Sequence, residues 1–183
     1  VTGPDEGDEQ MPDKPQSTTE VDADRNKLDG LLVIMASLAH GLEQVLGRGA
    51  ATVTFRAGRK IGLKSKVGER SEELLKALDL LKLELERVGI NWPFEVWKPE
   101  SSAEAIYTKE DGSLATKLVF RNCMVRCSLF RYSHSQQQSL CMMNHGVFCG
   151  YLQNIIGKRV GLEILHAGES ACLKELTISE GAT

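Results

Sequence analysis

The stretch SQQQSLCMMNHGVFCGYLQNIIGKRVGLEILHAGESACLKELTIS, residues 135–179, carries two periodicities with a glycine between them. Up to Gly157 the sequence is apolar-rich, free of proline and long enough for five turns of helix; beyond Gly157 apolar and polar residues begin to alternate. A glycine at such a join suits a helix C-terminus, because it enters the left-handed region without a Cβ clash. The stretch therefore reads as one helix over 135–157 and a closing hairpin, KRVGLEILHAGESACLKELTIS, turning at Ala167 and Gly168.

Working outward, Leu28, Leu31, Leu32, Met35, Leu38, Leu42, Val45 and Leu46 recur three and four apart, which predicts an amphipathic helix from Asn26 that stops at Gly47. A second helix is expected from about Ala50 to Ser65, with Gly58 and Gly62 four apart; that pair suits close helix packing or close approach of a ligand. Ser71 is a candidate N-cap for a third helix with Leu74, Leu78, Leu81, Leu85 and Val88 on one face and Gly89 at its end. FEVWK (94–98), AEAIYTK (103–109) and ATKLVFRNCMVRCSLFRY (115–132) read as strands, with EDGS (110–113) as a turn. The expected class is α+β, with N-terminal helices packed on an antiparallel sheet, a late helix and a closing hairpin.

Residues 1–25 hold eight acids against Lys14 and Arg25, so the net charge of −3 leaves the remainder positive. With three of the five prolines and few apolar residues, this segment is expected to be a disordered acidic tail, and 26–183 a single domain. The run LLVIMASLA (31–39) is shorter than the about 20 residues a membrane span needs, so a cytoplasmic protein, at most peripheral to a membrane complex, is expected. Five cysteines in a chain of 183 residues fit free or metal-bound thiols better than a disulfide framework.

Cys141, His145 and Cys149 fall four apart on one helix face, where core packing competes with ligand duty. Gly146 and Gly150 form a second close-packing pair beside them. On the hairpin, Glu163, His166 and Cys172 offer oxygen, nitrogen and sulfur, the donor types zinc accepts. Glu163 and His166 are three apart and need a bulge to face the same way, and the spacing does not separate a metal site from chance. Cys123 and Cys127 share a strand face as core residues, and His134 belongs to no triad pattern. The glycines lack the lysine and hydroxyl residue of a phosphate loop; Arg56, Arg59, Lys60, Lys64 and Lys66 are read as a solvated face, so direct nucleic-acid binding is not expected.

Residues 141–172, CMMNHGVFCGYLQNIIGKRVGLEILHAGESAC, resemble the 4-vinyl-reductase domain family through Cys141, Gly146, Gly150, Gly157, Glu163 and Cys172. That family includes a bacteriochlorophyll-synthesis protein, archaeal hydrocarbon-binding proteins and sensor domains of phenol-responsive transcription activators. The resemblance implies a structural zinc on Cys141, Glu163, His166 and Cys172, with His166 where the family usually has cysteine. It also implies the α+β ligand-binding fold of nitric-oxide-sensing haem domains and trafficking-complex subunits, dimeric through N-terminal helices, with an apolar pocket between helices and sheet. Trp92, Phe94, Trp97, Phe120 and Phe130 are candidates to line such a pocket or simply to fill the core. The function expected from the resemblance is a non-enzymatic, zinc-stabilised binding or sensor domain for a small hydrophobic or tetrapyrrole-like ligand, acting as a homodimer or through a partner protein. The alternative is a scaffold or assembly factor in pigment or photosynthetic complex biogenesis. The chain shows no dinucleotide, flavin or iron–sulfur motif that would favour a reductase.

Overall fold

The computed structural model describes residues 18–98, 104–121, 123, 125, 137–168 and 171–180, with backbone alone over 18–26. Three helices lead, α1 (Thr18–Leu46), α2 (Gly49–Lys64) and α3 (Leu74–Arg87). Strands β1 (Phe94–Val96), β2 (Ile106–Thr108) and β3 (Leu114–Arg121) follow, then α4 (Ser139–Ile156) and the hairpin of β4 (Arg159–Ala167) and β5 (Ala171–Ser179). The class is α+β, with every described strand pairing antiparallel in the order β1-β3-β5-β4; β2 lies beside β3 next to β1.

Alternation sets the two faces of the sheet. Leu118 and Phe120 on β3, Leu176 and Ile178 on β5 and Val160 on β4 point inward to the core, joined by Leu78, Leu81 and Leu85 of α3 and Phe148, Leu152 and Ile155 of α4. Each of these side chains is nearly or fully removed from water, and burial of this kind stabilises by about 1.5–3 kcal/mol per large apolar side chain.

Helix α4 is fixed against α2 by four glycines. A Cβ on Gly58 would land on the Met143 carbonyl, one on Gly62 on the Tyr151 amide, one on Gly146 on the Phe55 carbonyl and one on Gly150 on the Arg59 carbonyl. The two glycine pairs expected separately from the sequence are thus the two halves of one backbone-to-backbone contact, and packing explains both. Gly157 closes α4 at φ 74°, with its amide donating to the Gln153 carbonyl. Glu43 of α1 accepts a hydrogen bond from the first amide of α4, Ser139 N–H, at 3.0 Å.

Several expected boundaries differ. Helix α1 begins at Thr18, eight residues before Asn26, so part of the expected tail is helical. Helix α3 starts at Leu74; Ser71 instead closes the preceding turn, its Oγ accepting from the Glu73 amide at 3.2 Å. Strand β3 ends at Arg121, where β5 begins opposite it and where its amide donates to the Pro93 carbonyl just before β1. Beyond it, Val125 is helical. Cys127, Phe130 and His134 lie outside the described residues.

Within α1, Lys27–Leu46 is long and apolar enough by composition to cross a membrane, at a mean hydropathy of 1.2, a longer run than the 31–39 segment judged from sequence. In this fold only 11% of that segment is buried: Ala36 and Ala39 pack inward, Ala39 in a cluster with Val125 and Leu140, and Glu43 caps α4.

Candidate ligand site on the inner face of the sheet

Four aromatic rings meet where the sheet faces α4. Gly89, at φ 77°, ends α3 and turns the chain so that Trp92 enters the core just before β1. Phe94 and Phe120 are cross-strand partners in the β1–β3 ladder, and Phe148 descends from α4. Ring centroids lie 5.0 Å apart for Trp92 and Phe120, 5.8 Å for Trp92 and Phe148, 5.4 Å for Phe94 and Phe120 and 5.2 Å for Phe94 and Phe148. These are tilted and edge-on contacts of the kind aromatic quadrupoles favour. A cleft of about 310 Å³, lined by Leu85, Ile90, Asn91 and Pro93 among others, reaches Trp92 and Phe94 from the α3 side.

Polar groups sit inside this apolar cluster. Lys174 of β5 pairs with Leu118 and shares the inward register of Leu176 and Ile178, so its side chain is carried into the core and only 3% of the residue is exposed. Its Nζ lies 4.0 Å from the Phe120 ring centre and 4.7 Å from that of Trp92. Burial lowers the Lys174 pKa, partly countered by the thiols of Cys123, Cys172, Cys141 and Cys149. His145 stacks at 6.5 Å from Trp92, and burial, with Lys174 adding to it, pushes its pKa down to about 3, so it is neutral. Burial also pushes the Cys149 thiol up to about 12 and raises that of Cys141. Among the described residues the buried indole Nε1–H of Trp92 has no hydrogen-bond acceptor, an unmet donor of the kind folded proteins seldom retain.

Its fold resembles a phenol-responsive sensory domain. The match is to the crystal structure of that domain of the transcription activator PoxR with phenol, at a TM-score of 0.55 over 80% of this chain and 73% of that one. Sequence identity is 14%, so the likeness is one of fold. No family model and no curated protein sequence matches the chain.

The zinc set implied by the resemblance is not assembled. A register shift between Ile164 and His166 places Glu163 opposite Glu175 and His166 opposite Leu173, so a bulge does turn both to one face. That face is the outer one, because Lys174 and Cys172 alternate with Glu175 and Leu173 and point inward. Cys141 and Cys172 lie on the inner side, close enough to act electrostatically on one another, as does Cys123 on Cys141. The sheet thus separates Glu163 and His166 from Cys141 and Cys172, and the buried amine of Lys174 stands among the thiols. Among the described residues no group of three or more His, Cys, Asp or Glu side chains can hold a metal ion. The residues present do not fit the implied zinc.

On the outer face, Glu175 instead accepts from the Tyr107 hydroxyl and pairs with Lys109 at 2.7 Å. Among the aromatics expected to line a pocket, Trp92, Phe94 and Phe120 take part in the cluster, while Trp97 is exposed beneath Lys117. Lys174 was not singled out from the sequence. Its signal was there in CLKELTI, where a lysine occupies the apolar register of an alternating strand.

Proposed function

We propose that this chain is a non-enzymatic binding or sensory domain for a small aromatic or hydrophobic molecule, of the 4-vinyl-reductase type. The observation that carries the reading is the Trp92, Phe94, Phe120 and Phe148 cluster with a buried amine and an unmet indole donor, in a fold that in PoxR accompanies phenol. Apolar walls with a few convergent polar groups are the usual make-up of a small-molecule site. The cleft against Trp92 and Phe94, at about 310 Å³, suits a ligand of one aromatic ring better than a tetrapyrrole.

The reading extends to a protein partner. Leu31, Ile34, Leu38 and Val45 of α1 are exposed at 55%, 65%, 58% and 82%, and these residues supply the contact for a second copy or a partner chain in a cytoplasmic setting. An assembly role would use the same surface.

The test is a calorimetric titration of the full chain with phenol. Saturable binding near one equivalent, weakened at least tenfold by Phe148→Ala and unaffected by Leu83→Ala on the exposed side of α3, is expected. Heats indistinguishable from dilution for phenol and for other one-ring aromatics would overturn the reading.

A further inference from the structure

Lys174 poses a problem that the fold alone does not solve. The amine is carried inward by strand register, with Leu176 and Ile178 on the same face, and only 3% of the residue is exposed. Lysine is almost never this buried unless something pairs with it. Among the described residues, the titratable groups acting on it are the thiols of Cys123 from the segment after β3, Cys172 from its own strand, and Cys141 and Cys149 from α4; His145 faces it from α4 as well. Burial keeps the Cys141 and Cys149 thiols protonated and His145 neutral, so none of these three returns a full negative charge.

What the amine does have is two ring faces, Phe120 at 4.0 Å and Trp92 at 4.7 Å. A position over ring faces favours the ammonium form, because the quadrupole attracts a cation. Ring faces offset only part of the cost of burying the charge, and an oxyanion would offset far more. An unmet donor lies beside it: Trp92, whose ring lies against the amine, has its Nε1–H buried without an acceptor among the described residues. A buried amine held over two rings, beside a neutral N–H that has no acceptor among the described residues, is complementary to a ring that carries an ionised oxygen.

We propose that Lys174 anchors the acidic group of an aromatic ligand, a carboxylate or phenolate, so that this site selects aromatic anions over neutral aromatics of the same shape. The proposal rests on the small-molecule reading above and adds the ligand's charge to it. Lys174 is then a specificity residue, with Trp92 as its ring support and second donor.

The experiment uses benzoate and nitrobenzene, which share a planar two-oxygen group on one ring and differ in charge. Each is titrated calorimetrically into the full chain at pH 7 and into Lys174→Met, a variant of similar length without the charge, whose folding is checked by circular dichroism. On wild type, benzoate is expected to bind at least tenfold more tightly than nitrobenzene. In Lys174→Met the ratio should fall below threefold while nitrobenzene binding is kept. Equal affinities on wild type, a comparison that needs no variant, would overturn the anchor and leave the binding domain standing. A tenfold preference that survives in Lys174→Met would do the same. Failure of benzoate, nitrobenzene and phenol alike to bind wild type would overturn both readings.

Discussion

Replacing glycine by alanine at two kinds of helical position should change stability in opposite directions. Gly146 in α4 lies where a Cβ would meet the Phe55 carbonyl and the Arg59 amide at 2.8 Å, all rigid backbone of α2. Gly41 in α1 is also helical and has nothing within 4 Å of its would-be Cβ. Alanine gains about 1 kcal/mol over glycine in a helix interior, and that gain applies at both sites. At Gly146 it is set against overpacking, which costs about 1–3 kcal/mol where side chains can yield and more where backbone must move. The expected net loss for Gly146→Ala is about 2 kcal/mol, against a gain of up to about 1 kcal/mol for Gly41→Ala. For a chain of this size about 1 kcal/mol corresponds to roughly 2–4 °C. Thermal melts followed by circular dichroism should therefore fall by about 4–8 °C for Gly146→Ala and rise by a few degrees for Gly41→Ala. If Gly146→Ala melts at or above wild type, the helices are not in backbone contact and the packing argument fails.

Three further outcomes follow from the same geometry. His145 is held neutral with its pKa near 3, whereas the unfolded chain takes up a proton near the ordinary 6.5. The unfolded state thus binds more protons between these values, and stability is expected to fall as pH drops from about 6.5 toward 3, by up to about 1.4 kcal/mol per unit from this group. Urea midpoints of His145→Phe should lose that part of the slope; an unchanged slope would show that His145 is not buried neutral. Cys149 is fully buried with its thiol pushed to about 12, so iodoacetamide at pH 8 should leave it unmodified in the native chain and label it in urea, as read by peptide mass mapping. Removing the α4 cap by Glu43→Ala should cost about 1 kcal/mol in a urea titration, with Glu86→Ala on exposed α3 surface as the unaffected comparison.

Local chemistry made much of this architecture readable in advance. Gly47, Gly89 and Gly157 each take positive φ at the helix end where the sequence placed them, because the chain needs a left-handed residue there. The bulge that turns Glu163 and His166 to one side was also readable from their odd spacing. Which side they face was not: that depends on the pairing of Glu163 with Glu175, a partner in the next strand, and a one-residue change in register would have put them beside Cys172. The end of β3 was hidden for the same reason: the strand-like composition runs on past Arg121, and its bound at Arg121 is set by pairing with Ala171 in β5. Lys174 was overlooked because charge in a strand is ordinarily read as solvent-facing, although its neighbours Leu176 and Ile178 already assigned its face.

The glycine contact between α2 and α4 also bears on how occupancy could be felt elsewhere. One side of α4 carries His145 and Phe148 against Trp92, while the other meets α2 through Gly146 and Gly150 with no side chains between the backbones. Side chains can absorb a displacement by changing rotamer, and bare backbone cannot. A roll of α4 that follows a change at Trp92 must therefore drive the Met143 carbonyl into Gly58 or draw α2 along with it. The two helices form a stiff lever with one arm in the aromatic cluster and the other beneath α1.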